Sequence, residues 1–275
     1  NTYKELDYEA IFDDLHNDVY RKYGKIINAN SYIKIAWSSD LLLPQFLDLS
    51  SKIYAIGIDQ NFAIYDFEKK EILFEATSWL GRSIIDKYIF RDFKKKIACR
   101  KIDSDSILWE FPLSSLGKWK NSWDEERDFE VYKLIGIYNN IFWAFIEIGG
   151  FIGLDIETGE LKYRIPEYHQ AIGKTICKGK NFFRSDYFLN SEKGKILGMA
   201  MDVFIEIDLT QEPPFVTQYG LQEEFEKYNI KKANDTAEDF VVQDNLLYFY
   251  LAEQLRFGVL DINTKEIIYV SEPIA

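Results

Sequence analysis

Carboxylates are the chemical groups this sequence has in surplus, with 45 Asp and Glu against 33 Lys and Arg and a net charge of −12. A close pair of carboxylates can do acid and base work on a glycosidic bond, whereas a dispersed set can accept the Lys and Arg side chains of a basic partner. Other reactive types are sparse. His16 and His169 stand far apart with no second ligand at helical or hairpin spacing, so neither a zinc site nor any other metal is expected. Cys99 and Cys177 lack metal-ligand spacing, and Cys99, in a predicted strand beside Lys96 and Arg100, reads as a core cysteine. No nucleophile-elbow pattern accompanies His169. The stretch "IGGFIG" has neither the spacing of a phosphate loop nor a helix after it, and "DSDS" (103–106) lacks the Gly and distal Glu of a calcium loop. No catalytic residue and no cofactor is therefore assigned.

Composition narrows the partners. The acidic balance disfavours nucleic acid and anionic membrane surfaces, because phosphate binding depends on clustered Lys and Arg. It suits a basic protein, a cation or a neutral ligand. No apolar run approaches the roughly 18 to 20 residues of a membrane span, and two distant cysteines suit a reducing compartment, so the expectation is a cytoplasmic protein. A hydrophobic share of 47% over 275 residues can build a large core, and 16% aromatics lean toward strands.

The elements that must position the carboxylates fall into two kinds. Residues 2–24 carry Thr2 and Glu5 at capping-box spacing, Gly24 as a C-terminal stop, and Ile11, Phe12, Leu15, Val19 and Tyr23 at helical intervals. They predict one amphipathic helix (1–25) docked on the main domain. From residue 26 onward the pattern changes to short apolar runs, and "GFIGLDIETGELKYRI" (150–165) recurs. Its counterparts are "FAIYDFEKKEILFE" (62–75), "SILWEF" (106–111), "VFIEIDL" (203–209) and "FGVLDINTKEIIYV" (257–270). Each places an acid in an apolar frame: Asp66, Glu110, Asp155, Asp208 and Asp261. An Asp at a strand end can accept N–H groups from the following turn, so these five are assigned to structure.

A preceding strand is predicted at 52–58, 96–102, 141–148, 195–201 and 246–252, and an innermost one at 31–37, 86–93, 131–138, 181–190 and 237–244. Four strands per unit and a period near 50 residues predict an all-β, five-bladed propeller over 26–275 with one N-terminal helix. The blades run approximately over 26–76, 77–113, 114–166, 167–218 and 219–275.

The segment "GLDIETGELKY", through Asp155, Thr158, Gly159 and Tyr163, resembles the blades of quinoprotein-like (PQQ-type) and WD-repeat β-propellers. The resemblance implies the fold; the regular Trp placement of quinoproteins and the Gly-His and Trp-Asp dipeptides of WD repeats are absent from the sequence.

In such a ring the turns between second and third strands project from one face. The acids at those turns, Asp59, Asp103, Asp105, Glu147, Asp202 and Glu253, are predicted to form an acidic circle. "WKNSWDEERDFE" (119–130) adds Trp119, Trp123, Asp124, Glu125 and Glu126 on the same side, and exposed aromatics ringed by charge are what protein-binding hot spots are made of. The first reading is a non-catalytic module, monomeric apart from its partner, whose acidic loop face captures a basic protein. Its build is similar to bacterial immunity proteins that neutralise toxins, which implies a basic toxin domain as partner. Two alternatives stand beside it: a glycoside hydrolase or carbohydrate-binding propeller using Asp59, Asp103, Glu147, Asp186 or Asp202 at a central funnel, and a scaffold subunit of a larger assembly.

Overall fold

The computed structural model describes residues 45–50, 53–58, 61–66, 71–76, 82–85, 87–92, 95–101, 104, 106–121, 123–166, 186–231 and 236–274. The helix predicted over 1–25 and the strand predicted over 31–37 lie outside them. The chain divides into two compact units, one of Asn1–Phe93 with Ile97–Glu110 and one of Lys94–Lys96 with Phe111–Ala275.

The first unit carries two four-stranded antiparallel meanders, the second of which ends just beyond it. The first sheet is β1 (Gln45–Ser50), β2 (Ile53–Ile58), β3 (Asn61–Asp66) and β4 (Glu71–Ala76). The second is β5 (Arg82–Ile85), β6 (Tyr88–Asp92), β7 (Lys96–Lys101) and β8 (Ile107–Pro112). Its core packs Tyr88, Phe90 and Trp109 as tilted rings, with centroids 6.2 Å apart for Tyr88 and Phe90 and 6.1 Å for Phe90 and Trp109. Cys99 is buried among these strands, a core cysteine as its apolar frame suggested.

In the second sheet the strand frame differs from the sequence expectation by one. The segments at 86–93, 96–102 and 106–111 are its second, third and fourth strands, and Arg82–Ile85 supplies the first. Lys101 therefore occupies the position that an Asp holds at the end of the third strand elsewhere. Glu110 sits instead on the edge strand, exposed between buried Trp109 and Phe111. The alternation of "SILWEF" imitates a third strand because an edge strand with one wet face has the same period of two.

The second unit opens with a single 3-10 turn (Leu113–Leu116) and a two-stranded hairpin, β9 (Lys118–Lys120) and β10 (Glu126–Asp128). Three further meanders follow. They are β11 (Glu130–Tyr138), β12 (Ile141–Glu147), β13 (Gly150–Asp155) and β14 (Leu161–Ile165); then β15 (Phe188–Asn190), β16 (Lys195–Ala200), β17 (Val203–Asp208) and β18 (Phe215–Gly220). After helix α1 (Gln222–Glu226) come β19 (Thr236–Gln243), β20 (Leu246–Leu251), β21 (Arg256–Asp261) and β22 (Glu266–Val270).

The fourth sheet is covered on both faces. Ile196, Ile205 and Ile207 join Trp143, Phe145, Phe151 and Tyr187 in one core cluster. Leu197, Met199 and Phe204 join Leu247, Phe249, Leu260 and Ile267 in another. Alternate residues of β17 thus point to different neighbours, which is why Val203, Phe204, Ile205 and Ile207 are all apolar. Gly153 admits the third sheet's aromatic stack: a Cβ there would lie 2.9 Å from Ile141 and 3.0 Å from Tyr163, and the Trp143 and Tyr163 rings stack at 5.6 Å, 13° apart.

Three sheets repeat one turn. The Asp155 carboxylate accepts the backbone N–H groups of Glu157 (3.1 Å) and Thr158 (2.9 Å) and the Thr158 hydroxyl (3.0 Å). Asp208 accepts the N–H and hydroxyl of Thr210, and Asp261 accepts the N–H groups of Asn263 and Thr264. In each case the next residue donates its N–H to the turn between the first two strands: Ile156 to Asn140, Leu209 to Gly194 and Ile262 to Asn245, at 2.8 to 2.9 Å. The acid caps one turn while its neighbour ties that turn to the adjacent one.

The backbone N–H of Thr158 first, with its hydroxyl and the Glu157 N–H, holds the Asp155 carboxyl below its usual range, and the Thr210 hydroxyl does so first for Asp208. A carboxyl depressed by folding stabilises the native state above its unfolded pKa of roughly 4, and that contribution disappears as pH falls through the folded value. Asp155→Ala is expected to cost about 1 to 2 kcal/mol at pH 7, measured by urea unfolding. The Asp155→Asn, Asp208→Asn double variant should lose less stability than the wild type between pH 7 and pH 3; an identical loss would contradict this role.

Candidate functional site

Among the predicted site residues, those of the β9–β10 hairpin are the ones the structure gathers into one compact feature. Lys118, Trp119 and Lys120 pair with Asp128, Arg127 and Glu126. The tip between them is fixed by Asn121, whose side-chain oxygen accepts the N–H of Trp123 (3.0 Å) and of Glu125 (2.9 Å). Asn121 N–H also donates to the Glu125 carbonyl, and Asp124, in the left-handed region with φ 65°, donates its N–H to the Asn121 carbonyl. An Asn that replaces backbone partners in this way makes a stiff turn. It leaves Trp123 80% exposed at the apex.

The two tryptophans have different environments. Trp119 is half-buried, and its indole N–H donates to the Asp128 carbonyl at 3.2 Å, so it braces the hairpin. Trp123 offers its ring to solvent.

The acids of the hairpin are matched one for one. Glu126 pairs with Lys118 (3.4 Å), Asp124 with Lys120 (3.2 Å), Glu125 with Arg127 (2.5 Å) and Asp128 with Lys95 (2.8 Å). Hydrogen bonds from Asn121 and then Arg127 hold the Glu125 carboxyl below its usual range, and Lys95 does the same for Asp128. These pairs are solvated and add little stability, but they cancel the local charge. The surface around Trp123 is an electrically balanced lattice where the sequence suggested an acidic one.

The turns between second and third strands hold fewer free acids than expected. Asp59, Asp103 and Asp105 lie outside the described residues, and the last two fall in the connection between the third and fourth strands of their sheet. In that sheet the corresponding turn, between β6 and β7, carries Lys95, the partner of Asp128. Glu147 and Asp202 are half-buried, and Asp202 accepts the Leu221 N–H through its carbonyl at 2.6 Å; Glu253 is exposed. Asp186 forms an ion pair with Lys133. Among the described residues no group of three or more His, Cys, Asp or Glu could hold a metal ion.

What sequence reasoning missed is the conformation of these turns. Ile148, Met201 and Leu255 take left-handed backbone angles of φ 60°, 55° and 50°, a region that bulky and β-branched side chains rarely adopt. Met201 and Leu255 are 42% and 48% exposed. The hairpin joins this end of the third sheet: Phe129, between β10 and β11, is buried beside Gly149, where a Cβ would lie 3.1 Å from its ring. Arg164 stands over that ring, 5.7 Å from its centroid.

Among the described residues, the four-stranded meanders whose strands run in sequence order from one side to the other are of the kind that builds propeller blades. No family model and no curated protein sequence matches the chain. Solved structures do. The dihydro-heme d1 dehydrogenase NirN in complex with DHE has a TM-score of 0.51 at 11% identity, over 79% of this chain and 42% of that one. BamB from Moraxella catarrhalis has a TM-score of 0.47 at 13% identity, over 81% and 62%, and the quinohemoprotein alcohol dehydrogenase from Comamonas testosteroni one of 0.48 at 8%, over 84% and 42%. This chain thus spans between 42% and 62% of the length of these structures. The likeness is one of fold alone: an all-β chain of the propeller kind.

Because Trp123 is solvated at a tip fixed by other residues, Trp123→Ala is expected to change unfolding free energy by no more than about 0.5 kcal/mol. Asn121→Ala should instead loosen the tip, seen as faster amide exchange at Trp123 and Glu125. Unchanged exchange would show that Asn121 does not hold it.

Proposed function

We propose that this chain is a non-catalytic protein-binding module that engages its partner through the β9–β10 hairpin, with Trp123 as the anchor. The observation that carries the reading is the combination of 80% exposure at Trp123 with a tip locked by Asn121. A large aromatic already held in its bound geometry loses little entropy on association, and Trp is the residue most enriched among hot spots. Balanced ion pairs around it suit the rim of such an interface.

The sign of the partner follows from the whole chain and not from the hairpin. A net charge of −12 attracts a basic protein over a range of about 10 Å at 0.1 M salt and repels an acidic one. A basic toxin domain neutralised by this chain is the partner class that size, charge and a binding build favour. Glu253, exposed at its turn, and half-buried Glu147 and Asp202 would supply part of the attraction.

The test is to isolate the partner from the native host at low salt and measure affinity by calorimetry. Trp123→Ala should weaken binding roughly thirtyfold or more, the scale of a hot-spot residue. Glu253→Lys should slow association and flatten its salt dependence. An unchanged affinity in Trp123→Ala would overturn the hairpin as the contact surface, and a partner with an acidic binding face would overturn the charge argument.

A further inference from the structure

The repeat makes one departure that its structural needs do not explain. In the third sheet the residue paired with the turn acid is Ile141, and the residue two before that acid is Gly153. The fifth sheet has Leu246 and Val259 at the same two positions. The fourth sheet has Lys195 and Glu206.

The residue four beyond the acid links neighbouring sheets in two cases. Between the third and fourth sheets it is Glu212, whose carboxylate accepts the Tyr163 hydroxyl at 2.6 Å. Between the fourth and fifth it is Lys265, which reaches Glu206 at 3.1 Å while Lys195 takes the other carboxylate oxygen at 2.8 Å. The Glu206 side chain is only 12% exposed. Lys265 also stands 5.0 Å from the Phe204 ring and 4.8 Å from the Tyr219 ring, and it holds a left-handed φ of 65° where the third sheet has Gly159.

A cavity of about 290 Å³ opens on this cluster. Its ionic lining is Lys193, Lys195 and Lys265 against Glu206 and Asp244. Three ammonium groups carry three N–H donors each. Four acceptors meet them: the two Glu206 oxygens, the Ile262 carbonyl and the Asn245 side chain. Asp208, whose carboxylate also accepts from Thr210 and Gln211, adds its attraction to Lys195. Burial pushes the Glu206 carboxyl up, yet hydrogen bonds from Lys195 and Lys265 outweigh it and keep the carboxyl below its usual value.

A buried ion pair stabilises a protein no better than apolar residues of the same volume, and two sister sheets show that apolar residues fit here. We propose that the cavity between the fourth and fifth sheets binds a small phosphoryl or carboxylate anion, held by Lys193, Lys195 and Lys265, with Glu206 fixing the geometry of the last two. Leu197 and Ile262, which also line the cavity, offer an apolar wall for the body of such a ligand.

The test titrates inorganic phosphate and, separately, citrate into the full chain by calorimetry, with a thermal melt as the folding control. Lys195→Ile and Lys265→Gly restore residues of the kind the third sheet carries, and Lys193→Gln alters an exposed side chain. One probe should bind with a stoichiometry of one, and each variant should weaken it roughly tenfold or more, the scale of one charge-assisted hydrogen bond. Which probe binds separates the phosphoryl from the carboxylate source. Trp123→Ala should bind the anion like the wild type, so failure of the hairpin reading leaves this one standing. Absence of heat from both probes at millimolar concentration, or undiminished binding in Lys193→Gln and Lys195→Ile together, would reduce the cluster to an inter-sheet ion pair and overturn the proposal.

Discussion

A four-stranded meander that is apolar on both faces cannot be stable alone, and the second unit of this protein follows from that constraint. In β17, Ile205 and Ile207 belong to the core shared with the third sheet, while Phe204 belongs to the core shared with the fifth. The fourth sheet is thus the solvent-excluding wall of both the third and the fifth, and its stability depends on their presence. Polar demands are pushed to the strand ends. There the Asp carboxylates gather the turn N–H groups, and the residue after each acid fastens two turns together.

The same constraint leaves one position chemically free. Four residues beyond the turn acid, in the turn between third and fourth strands, the fourth and fifth sheets each place a side chain against the preceding sheet. Glu212 with Tyr163 and Lys265 with Glu206 are two solutions to that contact, one a neutral-to-ionic hydrogen bond and one an ion pair. Lys265 holds its place despite a backbone conformation that favours glycine. A repeat that must conserve its apolar rows can still vary this corner, and variation there changes the charge of a seam without changing the fold.

Net charge and local charge diverge in this molecule. The chain is strongly acidic, yet the hairpin that projects Trp123 carries a matched set of acids and bases, and one of those bases, Lys95, comes from a turn of the second sheet. Long-range attraction is therefore a property of the whole surface, whereas the contact made at the hairpin is a matter of shape and aromatic area.

Fold class was legible in the residues because period-two alternation, paired with an acid at the strand end, is a local signal; "GFIGLDIETGELKYRI" and "FGVLDINTKEIIYV" each specify two strands and the turn between them without outside help. The frame of the second sheet was not, because Lys101 replaces the marker acid and Glu110 stands in the same kind of apolar frame on an edge strand. Charged surroundings mark Trp119 and Trp123 alike as exposed aromatics, which holds for Trp123, but the bracing role of Trp119 was not legible, since it depends on which strand pairs with which. The pairing of Lys195 and Lys265 on Glu206 had no sequence signal at all. Residues 59 and 70 positions apart are invisible to periodicity, and only the packing of one sheet on another brings Lys265 within 3.1 Å of Glu206 while Lys195 approaches from the neighbouring strand.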